Sequence, residues 1–87
     1  MKVQNMTNSN GRSVPNQFII SDKCSIYFQS YSSVIAQKKN GKITLDRDDW
    51  DYSKTTGKYR NQFLGEGIAD TRKKIESGEY KLANLNK

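Results

Sequence analysis

The stretch VIAQKKNGKITLD (residues 34–46) constrains this chain more than any other. Asn40-Gly41 stands between two β-prone runs. That pair is the strongest short-range hairpin signal, because both central positions of a type I′ turn need positive φ. A two-residue turn sets the register: Lys39 opposite Lys42, Lys38 opposite Ile43, Gln37 opposite Thr44 and Ala36 opposite Leu45. Side chains alternate across a strand, so Val34, Ala36, Ile43 and Leu45 are expected in the core. The opposite face takes Gln37, Lys39, Lys42 and Thr44, with Ile35 further along it. Facing lysines at 39 and 42 repel by roughly a few tenths of a kcal/mol. Two explanations stay open: an anion bound between them, or charges that blunt edge pairing at a hairpin tip.

Upstream, QFII (residues 17–20) and CSIYFQSY (residues 24–31) read as two further strands joined by SDK. Ile26 and Phe28 share one face of the second, Tyr27 and Tyr31 the other. Pro15 suits a strand start or an edge. Residues 1–12 are polar and turn-rich, either a loose lead-in or, with Asn10-Gly11 as its turn, a first hairpin.

Beyond Leu45 the period changes. Tyr52, Thr56, Tyr59 and Phe63 fall on one helical face, with Ser53 as N-cap and Gly65 just past the C-terminus. Gly57 costs about 1 kcal/mol against Ala inside a helix, which leaves open a helix beginning only after it. IADTRKKIES (residues 68–77) is a second helix that stops at Gly78. EYKLANL (residues 79–85) alternates Tyr80 with Leu82 as a closing strand. The order predicts an α+β domain over residues 13–87. It has an antiparallel sheet of three to five strands, hairpins first, two short helices packed on one face, and a C-terminal strand.

Eighty-seven residues make one domain. Hydrophobic residues are 33% and mean hydropathy is −0.93, so apolar area comes mainly from five Tyr, three Phe and one Trp. A chain of this size buries roughly 60–65% of its unfolded surface. A thin core over one sheet is expected, with a homodimer as one way to cover an apolar sheet face. Fifteen Lys and Arg against nine Asp and Glu give +6 and a pI near 9.6. Such a balance suits nucleic acid or a nucleoprotein, although the same excess also serves solubility. It argues against an acidic DNA mimic.

Cys24 is the single cysteine and there is no histidine. No internal disulfide can form, and the commonest general base and metal ligand is missing. The first residues lack an apolar signal region, and no run approaches the ~18 apolar residues of a membrane span. A cytoplasmic location is expected.

DRDDWD (residues 46–51) offers four carboxylates, but an EF-hand loop needs Gly sixth and Glu twelfth. Asp51 and Gly57 occupy those positions. The cluster reads as solvated charge ahead of a helix N-terminus, with a weak magnesium site as the alternative. TTGK (residues 55–58) is no phosphate loop, since Tyr52 replaces the required glycine and no hydrophobic strand precedes it. No catalytic residue, cofactor or metal is assigned, and an enzyme is the least favoured class.

Binding remains. Lys54 and Lys58 are spaced i, i+4, flanked by Arg60, with Tyr52 and Tyr59 nearby. Cations interleaved with rings suit nucleic acid, and Tyr and Arg equally anchor protein interfaces. Phe63 is expected in the core, while Tyr52 and Tyr59 stay open between core and surface. Arg72, Lys73 and Lys74 form a second cluster, diluted by Glu66, Asp70 and Glu76. Reversing Lys54, Lys58 and Arg60 together is expected to abolish binding and leave the fold intact.

The strings VPNQFII, YFQSYSSVIA, WDYSKTTGKYRNQFLGE and KKIESGEYKLANLN resemble a small domain of unknown function encoded in phages, prophages and plasmids of Gram-positive bacteria. The resemblance spans roughly residues 11–86 and is most specific at residues 50–64. It implies no catalytic residues. It does imply an accessory factor acting stoichiometrically in the cytoplasm of a host bacterial cell. The leading expectation is an anti-CRISPR-like inhibitor that binds a CRISPR effector nuclease or its nucleic acid. The alternative is a direct DNA- or RNA-binding accessory protein with no host protein target.

Overall fold

The computed structural model describes residues 1–86. Its elements are β1 (Lys2–Thr7), β2 (Ser13–Ser21), β3 (Ser25–Ser30), β4 (Ser33–Lys39), β5 (Lys42–Asp46), α1 (Lys54–Leu64), α2 (Ile68–Glu76) and β6 (Lys81–Ala83). Asn40 and Gly41 have φ of 53° and 75°, the positive pair that the β4–β5 turn requires. The register is Lys39↔Lys42, Lys38↔Ile43, Gln37↔Thr44 and Ala36↔Leu45, as the turn composition predicts.

The fold is α+β, with one six-stranded, mostly antiparallel sheet in the order β1-β2-β3-β4-β5-β6. That is more strands than the expected three to five. β1 through β5 form an antiparallel meander, whereas β6 runs parallel to β5. The parallel pairing follows from the two helices between them, which carry the chain back to the end where β5 began.

One expectation inside the hairpin is corrected. Gln29 pairs with Val34 and Phe28 with Ala36, so β4 carries an extra residue at Ile35. This bulge turns Ile35 and Ala36 both into the core, where each is fully buried, while Val34 is left outside. Strict alternation places Ile35 on the wrong face because it presumes an unbroken ladder.

The core lies between the sheet and the helices. Phe28, Ile35, Ala36 and Leu45 meet Tyr59 and Phe63 of α1, with Met6 and Tyr80 closing the ends and Ile75 of α2 at the margin. The Phe28 and Phe63 rings are 5.9 Å apart. α1 is capped as its sequence indicates: Ser53 Oγ accepts the Thr56 N–H at 3.1 Å, and Gly65 is left-handed with its N–H on the Asn61 carbonyl. The helix nevertheless runs through Gly57. A Cβ there would lie 3.5 Å from the Arg60 guanidinium, so this side chain covers the glycine backbone. Packing outweighs the propensity penalty.

Gln17 is a local conflict. It is 1% exposed, and neither its Nε2 nor its Oε1 has a hydrogen-bonding partner among the described residues. An unpaired buried amide costs about 1–3 kcal/mol. Gln17→Met preserves the volume and removes both polar atoms, so it is expected to raise stability by about 1–2 kcal/mol. Urea denaturation followed by far-UV circular dichroism checks this.

Candidate nucleic-acid interface

The basic residues divide by what their charges touch. Arg60 departs furthest from expectation. It is 1% exposed and belongs to the interior. Its Nη1 donates to the Trp50 carbonyl at 2.9 Å and to Asp51 Oδ1 at 3.1 Å, and its Nη2 to Asn61 Oδ1 at 3.0 Å. The guanidinium lies over the Trp50 ring at 5.3 Å. Arg60 thus ties α1 to the segment before it and is removed from the candidate surface. Reversing its charge would set a carboxylate against Asp51 in a buried position, so the triple reversal with Lys54 and Lys58 would not leave the fold intact.

Tyr59, 5% exposed, is a core residue, whereas Tyr52 is 70% exposed. Lys54 and Lys58 remain on the surface, Lys58 Nζ 5.5 Å from the Tyr59 ring. On α2, Arg72 pairs with Asp51 at 3.2 Å and Lys74 with Glu66 at 2.6 Å, leaving Lys73 exposed and without an ion pair among the described residues. The second cluster is therefore mostly internal bracing.

Glu66 is the hub of that bracing. Its carboxylate accepts from Lys74 Nζ and the Tyr80 hydroxyl on one oxygen and from the Thr71 hydroxyl on the other. Burial pushes the Glu66 carboxyl up, but these hydrogen bonds and the Lys74 charge outweigh it and hold it below the ordinary 4.5. The Lys74 ammonium is raised, chiefly by its hydrogen bond to Glu66. Burial and the bond to Glu66 raise the Tyr80 phenol.

A carboxylate lowered in the folded state contributes stability that is present above its unfolded value and lost as pH falls through its folded one. Lys74 gives the opposite limb, lost as pH rises beyond about 10.5. Glu66→Gln is expected to cost about 1–2 kcal/mol at neutral pH. The gap to wild type should stay flat through neutrality and close below about pH 4.5. Denaturant midpoints across that range read it.

The acidic run is solvated only in part: Asp48 and Asp51 are exposed and Asp49 is half-buried. Asp46 is buried and its carboxylate accepts three backbone N–H groups: Asp48 at 3.2 Å, Asp49 at 2.9 Å and Leu85 at 2.9 Å. Asp51 is held by Arg60 and Arg72. The first turn of α1 contains no acidic residue, and the four aspartates all lie ahead of its Ser53 cap. No group of three or more potential metal ligands forms among the described residues.

The free cations that converge are elsewhere. Lys39 and Lys42 face each other at the hairpin tip, and Lys81 stands across from Thr44, the next residue on the same face as Lys42. All three are exposed and make no ion pair among the described residues. With Gln37, Asn40, Thr44 and Glu79 they line one shallow groove. The sequence carried Lys39 and Lys42 as candidates but missed Lys81. Only the parallel pairing of β6 brings Lys81 beside them.

This tip belongs to the sheet face that the helices leave uncovered. Phe18, Ile20, Tyr27 and Val34 stand there, half-buried by their neighbours and outside the core cluster. Among the described residues no helix is long and apolar enough to cross a membrane.

A family model described as "Family of unknown function (DUF8033)" matches residues 1–81. No curated protein and no solved structure matches the chain.

Proposed function

The chain belongs to the DUF8033 family of unknown function, and from that starting point we propose that it acts by stoichiometric binding of nucleic acid at the Lys39–Lys42–Lys81 tip. The observation that carries this reading is the convergence of three ammonium groups on one groove. They make no ion pair among the described residues, and Glu79 is the one acidic residue of the described lining. Such a cluster is self-repulsive when empty and is relieved by phosphate. The overall +6 adds a long-range attraction for polyanions.

Three phosphate contacts predict a log–log salt slope of about −2.7 on duplex DNA and about −2 on single strands. Reversal of Lys39, Lys42 and Lys81 to Glu is expected to weaken binding by about a hundredfold or more at ~50 mM salt and to flatten that slope. Reversal of Lys54, Lys58 and Lys73 to Glu serves as a control of equal net charge, expected to do much less. Fluorescence anisotropy with labelled oligonucleotides measures both. Equal losses from the two variants would remove the tip as the site, and no binding by wild type at low salt would remove the reading itself.

The resemblance to phage- and plasmid-encoded domains favours a second reading: an anti-CRISPR-like inhibitor in the host cell that lays the same cationic tip along the guide RNA or target DNA of a CRISPR effector. The two readings differ in partner. An inhibitor retains an assembled effector at ~200 mM salt and slows its cleavage, whereas a simple nucleic-acid binder releases its ligand over that range.

A further inference from the structure

The uncovered sheet face carries one row across all six strands: Val3, Ile20, Tyr27, Gln37, Thr44 and Lys81 are successive cross-strand partners. Beside it run Asn5, Phe18, Gln29 and Val34. Neither row contains an acidic residue. One end is apolar and aromatic; the other ends in Lys81 with Lys39 and Lys42 next to it. The Tyr27 hydroxyl accepts from the Gln37 amide at 3.2 Å, and the ring itself is half-buried between its cross-strand neighbours.

We propose that this face binds a single-stranded segment of nucleic acid, its bases stacked on Tyr27 and Phe18 and its phosphates held by Lys39, Lys42 and Lys81. The inference rests on the nucleic-acid reading above and names the ligand class for the same surface. Two features select a single strand. Phe18 is the diagonal cross-strand neighbour of Tyr27, a separation of about 7–8 Å. Bases in a duplex strand are about 3.4 Å apart, so two rings at this spacing accept bases that have come out of their stack. A six-stranded sheet face is also wider than the helix or two-stranded ribbon that an undistorted major groove admits. Single strands, in contrast, expose base faces that aromatic platforms accept irrespective of sequence. From Tyr27 on β3 to Lys81 on β6 is three strand spacings, about 14–15 Å, so rings and ammonium groups can engage neighbouring nucleotides of one short segment. Charge complementarity favours this occupant over a second copy of the chain, whose own +6 would be brought against the lysines.

The test uses the full chain, a labelled oligothymidylate of about twelve nucleotides and a duplex of equal length. Wild type is expected to prefer the single strand at equal salt. Tyr27→Ala and Phe18→Ala should each lower single-strand affinity about tenfold, the effect of losing one stacked base, with little change on duplex. Tyr27→Phe keeps the ring and should bind nearly as wild type. Photo-crosslinking of wild type with a 5-iodouridine probe removes any dependence on variant folding, and adducts are expected on Tyr27 or Phe18. Crosslinks confined to other residues, or alanine variants that bind the single strand as wild type does, would overturn the stacking proposal. If the lysine reversal still abolished binding in that case, the nucleic-acid reading would survive. A wild type that sediments as a dimer through Phe18 and Tyr27 would also overturn it, by covering the face.

Discussion

Arg60→Ala is expected to lower stability by about 3 kcal/mol. The guanidinium is buried and holds the Trp50 carbonyl, Asp51 and Asn61 together. Breaking a buried charge pair costs about 3–5 kcal/mol when it strands the partner. The lower end applies because Asp51 is 37% exposed and regains water. The truncation also empties the volume beneath Trp50 and over Gly57. Arg60→Met keeps the stem packing and should recover about 1 kcal/mol. Arg60→Lys should recover less than the shared charge suggests, because one ammonium cannot replace the planar fork that reaches three acceptors and stacks on the ring. Trp50 is the single tryptophan and reports the change directly: its emission should shift in the native state of the alanine variant. A loss under about 1 kcal/mol would mean that the network is not rigid in solution.

Asp46→Ala is expected to cost about 2–3 kcal/mol. The carboxylate accepts N–H groups from residues 48 and 49 on one oxygen and from Leu85 on the other, joining two segments that lie 39 residues apart. Charge-assisted bonds of this kind are worth about twice a neutral one. Part of the loss is recovered because the turn amides can reach water. The effect should be directional as well as large. The C-terminal strap is also held by the Arg47 N–H on the Ala83 carbonyl and by the Asn86 side chain on the Val34 backbone. Amide exchange at Leu85 and along β6 should therefore accelerate far more than exchange in β3. Uniform acceleration would instead indicate global destabilisation without a local latch.

These two residues show what could be read in the chain and what could not. Arg60 sits in a helix beside Lys58, flanking the Lys54–Lys58 stripe, and nothing in its spacing separates a solvent-facing cation from a buried one. Its fate depends on Trp50 and Asp51 folding back over α1, a tertiary contact. Asp46 sits in an acid-rich run that resembles solvated charge. It is buried only because the chain returns as β6, with the segment beyond it bringing the Leu85 amide. Within the candidate site, Lys39 and Lys42 were legible because a two-residue turn dictates who faces whom. Lys81 was not, since three residues of strand carry no information about which edge they join or in which direction. Tyr27 could be assigned a face by alternation. That this face would be the uncovered one required knowing which side the helices take.

The division has a physical basis. Local stereochemistry by itself determined the β4–β5 register, the Ser53 and Gly65 ends of α1, the switch from period two to helical period, and the α+β class, because each depends on backbone preferences within a few residues. Tertiary structure alone decided the bulge that buries Ile35, the parallel edge of β6, the burial of Arg60 and Asp46, and the meeting of three lysines with an aromatic sheet face. Those outcomes turn on burial and on long-range pairing. For Asp46 and Lys81 the partners lie far along the chain. For Ile35 and Arg60 they are near in sequence, but local backbone preferences do not say which side chains the packing covers.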